Sequence, residues 1–126
     1  MKVFVYGILM RDATEAAALH GYRLAFSRFA TVRRCEGSVV LGGLVDANDA
    51  KLRTYDSIEG VRPDGLGYYR REEVEVDDAD GNPVVAWVYM QNEHYFDEEP
   101  GSPALRAQMN EQYERLGHTV RAGRGD

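Results

Sequence analysis

Two short stretches carry residue types that could do chemistry. The first is Tyr6-Gly7-Ile8-Leu9-Met10, where an apolar run stops at a glycine. A glycine after a strand lets successive backbone N–H groups turn into one concavity. Such a nest holds a carboxylate without any lysine or arginine. An ordinary turn between two elements uses the same residues. The second stretch is Ile58-Glu59-Gly60. It reads as the end of a short helix, where the dipole favours cations over a carboxylate. A residue that breaks a local rule is a candidate for function. A solvated glutamate is the alternative reading.

The remaining chemistry-bearing residues form no constellation. His20, His94 and His118 lie far apart with no ligand spacing. His94 stands near Asp97, Glu98 and Glu99, a cluster that reads as a solvated acidic loop rather than a metal site. Cys35 is flanked by Arg33, Arg34 and Glu36, which could lower its thiol pKa; a half-buried strand cysteine is the simpler reading. No glycine-rich loop ends in the Lys-Ser/Thr of a phosphate-binding loop.

Composition narrows the class. The 126 residues suit one domain, with a domain proper over 1–117 and a flexible glycine- and charge-rich tail over 118–126. The Arg-Gly-Asp at the very end is read as chance. A net charge of −6 argues against nucleic acid as a partner. One cysteine rules out an intrachain disulfide and points to a cytoplasmic setting. No apolar run is long enough to span a membrane, and "MKVFVYG" enters a strand directly rather than as a signal or transit peptide.

The elements that must position the two stretches follow from pattern. Val3 to Tyr6 read as a strand. "RDATEAAALH" places Ala13, Ala16, Ala17 and His20 on one helical face, so a short helix is expected. "YRLAFSRFATV" alternates at Tyr22, Leu24 and Phe26, and "GSVVLGGLVDA" follows as a further strand. Gly42 and Gly43 suggest a bulge or sharp bend in it. "NDAKLRTYDSIEG" is a helix capped by Asn48 or Asp49 and ended by Gly60, with Leu52, Tyr55 and Ile58 as its stripe. "YYRREEVEV" and "VVAWVYM" are strands joined by a hairpin at Asp80-Gly81; the second is apolar on both faces and should be central. Ser102, Pro103 and Gly117 bound a last helix lined by Leu105, Met109, Tyr113 and Leu116. The expectation is an α+β fold: a small, partly closed mixed barrel flanked by short helices.

Taken in order, Tyr6-Gly7-Ile8-Leu9, Tyr55-Asp56-Ser57-Ile58-Glu59-Gly60 and Tyr69-Arg70-Arg71 form a set. It resembles the γ-glutamylcyclotransferase-like family, which includes the γ-glutamylamine cyclotransferases and the AIG2-like proteins of plants. The resemblance implies an enzyme that cyclises a γ-glutamyl amine or amino acid to 5-oxoproline and releases the amine, with no cofactor. It implies that amides around Gly7, Ile8 and Leu9 hold the substrate's α-carboxylate and that Glu59 is the general acid and base. Tyr6 and Tyr69, with Tyr89 a weaker candidate, would give walls and hydroxyl donors. Two positions depart from the family pattern: Ile8 stands where Ser or Thr is usual, and Tyr55 where Leu is usual. The alternatives are a non-catalytic domain that binds a small carboxylate and a protein-interaction module of the same fold. Either a monomer or a homodimer fits the reading.

Overall fold

The computed structural model describes residues 1–118. Five strands and two helices follow one another: β1 (Lys2–Val5), β2 (Glu15–Ser27), β3 (Phe29–Asp46), α1 (Asp49–Glu59), β4 (Tyr69–Asp77), β5 (Pro83–Gln91) and α2 (Pro103–Arg115). Short 3₁₀ turns cover Ile8–Asp12 and Glu93–Tyr95. The strands close into a barrel in the order β1-β3-β2-β4-β5. Among the described residues only the β1–β5 seam is parallel, with Val3 opposite Trp87 and Phe4 opposite Val88. The β2–β4 seam rests on a single ladder pair, Ala18 with Asp77.

The helix expected over "RDATEAAALH" is not there. Its first residues end the 3₁₀ turn, and its remainder opens the thirteen-residue strand β2. Alanine favours helices, but this run has too small an apolar face to hold one against a core. The eighteen-residue β3 offers it a full ladder instead, from Glu15 opposite Leu44 to Ser27 opposite Phe29. Burial follows the period of two, with Ala17 and Leu19 inside and His20 outside. "YRLAFSRFATV" is likewise two strands, broken at Arg28.

No bulge occurs at Gly42 and Gly43, which pair in register with Ala17 and Ala16. The irregularity lies nearer the strand middle, where register shifts between His20 and Tyr22, opposite Cys35 to Ser38. Gly42 serves close packing. A Cβ there would stand 2.3 Å from the Val5 carbonyl oxygen and 2.7 Å from the Phe4 ring.

Helix α1 begins where the Asn48 side chain accepts from the Lys51 N–H at 2.8 Å. It ends at Gly60, left-handed at φ 71°, with the Val61 N–H reaching back to the Asp56 carbonyl. Leu52 and Tyr55 are buried, but Ile58 is 57% exposed and leaves the expected stripe. Helix α2 is capped by the Ser102 hydroxyl, which accepts from the Leu105 N–H at 3.0 Å. Met109 and Tyr113 are buried, with Leu105 and Leu116 packed beside them. Strand β5 lies between β4 and β1, and Ala86, Val88, Tyr89, Met90 and Gln91 are buried along it, so both of its faces are covered toward its end. The tail expectation falls outside the described residues, except at His118, whose Nε2 lies 2.7 Å from the Gly42 carbonyl oxygen. Among the described residues no helix is long and apolar enough to cross a membrane.

Candidate functional site

The turn after β1 begins at Gly7, and the first hydrogen bond inside it runs from the Met10 N–H to the Gly7 carbonyl at 2.9 Å. The N–H groups of Ile8 and Leu9 precede the first acceptor that the helix can offer, and among the described residues no side chain caps this end. The turn's other end is held by α2. Arg115 donates to the Met10 carbonyl at 2.8 Å and to the Ala13 carbonyl at 3.0 Å. An arginine about one hundred residues downstream therefore fixes the turn that carries these amides.

Glu59 is the last residue of α1 and is half-buried. Among the described residues its carboxylate has no ion pair or hydrogen bond with a side chain. Burial alone pushes its pKa up to about 7. Two adjoining spaces share Glu59 in their lining. An inner cavity of about 40 Å³ is bordered by Phe4, Val5, Tyr6, Gly7, Leu9, Ala30, Glu59 and Tyr89. An outer chamber of about 590 Å³ is bordered by Gly7, Ile8, Ala30, Ile58, Glu59, Tyr68 and Tyr69, with further residues from the β2–β3 turn and α2. Gly7, Ala30 and Glu59 border both. The structure thus brings Tyr6, Gly7, Ile8, Leu9, Glu59 and Tyr69 around one place. Ile8 faces the outer chamber only, so its side chain does not crowd the inner cavity.

The tyrosines are committed to the protein. Tyr6 donates to the Tyr89 carbonyl, Tyr69 to the Ala30 carbonyl at 2.6 Å, and Tyr89 to the Asp56 carboxylate at 2.7 Å. Burial raises all three phenols above their ordinary pKa, so they stay neutral. Tyr6 and Tyr89 border the inner cavity and Tyr69 the outer chamber, and their hydroxyl protons are used elsewhere. That differs from the free hydroxyl donors expected from the sequence.

Sequence reasoning gave no role to Asp56 and Arg71. Arg71 grips Asp56 through two bonds of 2.9 and 3.1 Å, and its guanidinium lies 4.2 Å from the centre of the Trp87 ring. Arg71 and Tyr89 are register partners across β4 and β5, so both reach the same carboxylate from one sheet face. This clamp fixes the last turn of α1 to the barrel and so sets where Glu59 points. The available signal was the spacing: Asp56 precedes Glu59 by one helical turn. Arg71→Ala should lower stability by about 1–2 kcal/mol, because it leaves a half-buried carboxylate with one partner fewer. Urea unfolding at neutral pH measures it.

A family model described as "Gamma-glutamyl cyclotransferase, AIG2-like" matches residues 3–115. No curated protein matches the sequence significantly. A solved structure titled "Gamma-glutamyl cyclotransferase" is similar at a TM-score of 0.82 and 21% identity, covering 97% of this chain and 83% of that one. An uncharacterized protein from Homo sapiens gives 0.80 and 21%, covering 96% and 82%. A protein of Arabidopsis thaliana gives 0.59 and 19%, covering 98% and 93%. At these identities the likeness to solved structures is one of fold.

Proposed function

Because this chain belongs to the γ-glutamyl cyclotransferase, AIG2-like family, we propose that it cyclises γ-glutamyl amines or γ-glutamyl amino acids to 5-oxoproline with release of the amine. The observation that carries the reading is Glu59: a carboxyl with pKa raised to about 7 by burial, bordering the same cavity as Gly7 and Leu9.

In this reading the Ile8 and Leu9 amides receive the substrate's α-carboxylate, and the glutamyl chain lies where the two spaces join, beside Gly7, Ala30 and Glu59. The γ-carbonyl then lies by Glu59. An ordinary glutamate is a poor base for an ammonium, whereas one near neutrality is better matched. Glu59 takes a proton from the α-ammonium, and the freed amine attacks the γ-carbon of its own molecule. A C–N bond forms in the ring, and the C–N bond to the leaving group breaks. Two protons leave the attacking nitrogen and two arrive on the departing one, so atoms and charge balance within the substrate. Holding nucleophile and electrophile in a folded conformer supplies much of the acceleration.

The test is 5-oxoproline release from a panel of γ-glutamyl amines and dipeptides. Turnover of at least one class is expected; ligand-induced stabilisation without product would return the reading to a binding protein. A second expectation concerns pH. Glu59 must be ionised to act, so kcat/KM should climb through about pH 7 and level above it. A profile flat from pH 6 to pH 8 would remove Glu59 as the base.

A further inference from the structure

The outer chamber has a lining that cyclisation itself does not use. Ile8, Phe29 and Ile58 border it and are 60%, 56% and 57% exposed. Three large apolar side chains are thus left in water around one opening, beside the unpaired Glu59. The cation on the same lining is Arg28. Among the described residues no carboxylate pairs with it.

Arg28 also has an unusual backbone. It forms the turn between β2 and β3 at φ 70°, where the six other described residues of positive φ are all glycines. An arginine is strained there and a glycine is not. The surrounding structure enforces the turn. The buried Ser27 carbonyl accepts from Gln91 Nε2 at 3.1 Å, and the Ser27 hydroxyl accepts from the Asp97 N–H at 2.9 Å. A strained residue held by its neighbours at the mouth of a cavity points to a use for its side chain.

We infer that the outer chamber selects the leaving group: an amino acid with an apolar side chain, its carboxylate paired with Arg28 and its side chain against Ile8, Phe29 and Ile58. This rests on the cyclisation reading above and narrows its substrate class to γ-glutamyl dipeptides of apolar amino acids. A cationic leaving amine meets like charge at Arg28. A small polar one leaves the apolar rim in water. Isoleucine at position 8 has a use in this arrangement, since a hydroxyl there would remove one of the three apolar contacts.

The test compares γ-glutamyl-leucine, γ-glutamyl-isopentylamide (the same molecule without the terminal carboxylate) and γ-glutamyl-putrescine. Turnover is measured with the wild type, and affinity by calorimetry with Glu59→Gln, which keeps the pocket. γ-Glutamyl-leucine should exceed the isopentylamide by roughly 5- to 10-fold in both, as for a partly exposed guanidinium–carboxylate pair, and putrescine should be worst. Arg28→Gly should erase the preference for the carboxylate while leaving the melting temperature unchanged or raised. Ile8→Ser should weaken the leucine compound and keep that preference. Equal handling of leucine and isopentylamide compounds by the wild type overturns the inference, as does an Arg28→Gly variant that keeps the preference. The affinity pattern without turnover would overturn cyclisation and uphold the chamber's selectivity. Turnover without preference would do the reverse, and no binding of any compound would overturn both.

Discussion

Glu59→Gln is expected to lower 5-oxoproline release by roughly 10²–10⁴-fold, the usual contribution of general acid–base catalysis. Glutamine keeps the size of the side chain but cannot take a proton from an ammonium. Ligand affinity should change little, because the α-carboxylate is assigned to the amides of the Gly7 turn. Stability should move the other way. The folded protein holds the Glu59 proton more tightly than the unfolded chain does, since burial raises its pKa from 4.5 to about 7. The wild type is therefore most stable, as far as this group is concerned, below pH 4.5. It loses stability as pH rises from there to about 7, and the loss is complete above. Glutamine carries no such penalty, so the variant should gain on the order of 2 kcal/mol at pH 8 and nothing at pH 4. Paired urea melts at the two values measure this. A variant that cyclises at the wild-type rate, or gains no stability at pH 8, contradicts the account of Glu59.

Gly42→Ala should have a large effect on folding. The new Cβ would meet the Val5 carbonyl oxygen at 2.3 Å and the Phe4 ring at 2.7 Å. Phe4 is almost fully buried, and the oxygen belongs to the backbone of β1, so neither has room to yield. Moving β1 also disturbs both of its ladders, to β3 and to β5. A loss of about 3 kcal/mol is expected, typical of overpacking a tight core, or roughly 10 °C or more in Tm for a domain of this size. Because Tyr6 and Gly7 follow directly from β1, activity should fall with stability. A variant that melts within a degree or two of the wild type would show that β1 can shift freely.

What could be read from the sequence was what neighbouring residues decide among themselves. Helix α1 has its cap at Asn48 and its left-handed stop at Gly60, both within a turn of the ends they specify. The hairpin of β4 and β5 turns at Gly81, and the last helix is bounded by Ser102 and Gly117. The meeting of the Gly7 turn with Glu59 came from motif order rather than from periodicity. What stayed hidden is decided across the barrel. The alanines of β2 have no strong preference, and β3 chooses for them. Ile58 carries helical spacing for the core and yet borders the outer chamber. The clamp of Asp56 by Arg71 and the tie from Arg115 to the Gly7 turn join residues fifteen and about one hundred positions apart. The one local trace of them is Asp56 standing one helical turn before Glu59.

The parallel seam between β1 and β5 has a consequence for how the chain folds. Strand β1 comes first along the chain but gains its second partner only when Trp87 and Val88 are in place. Tyr6 finds its acceptor on Tyr89, and Asp56 waits for the same residue's hydroxyl. Contacts of such long sequence separation slow folding, because a large loop must close before any of them forms. During synthesis the first strand can lie along β3 while its other edge stays open to pairing with another chain. A nascent chain that stops before β5 therefore has Gly7 and Glu59 but no closed barrel around them. Closing the barrel and completing the inner cavity thus depend on the same strand, because β5 covers the free edge of β1 and brings Tyr89 to the cavity wall.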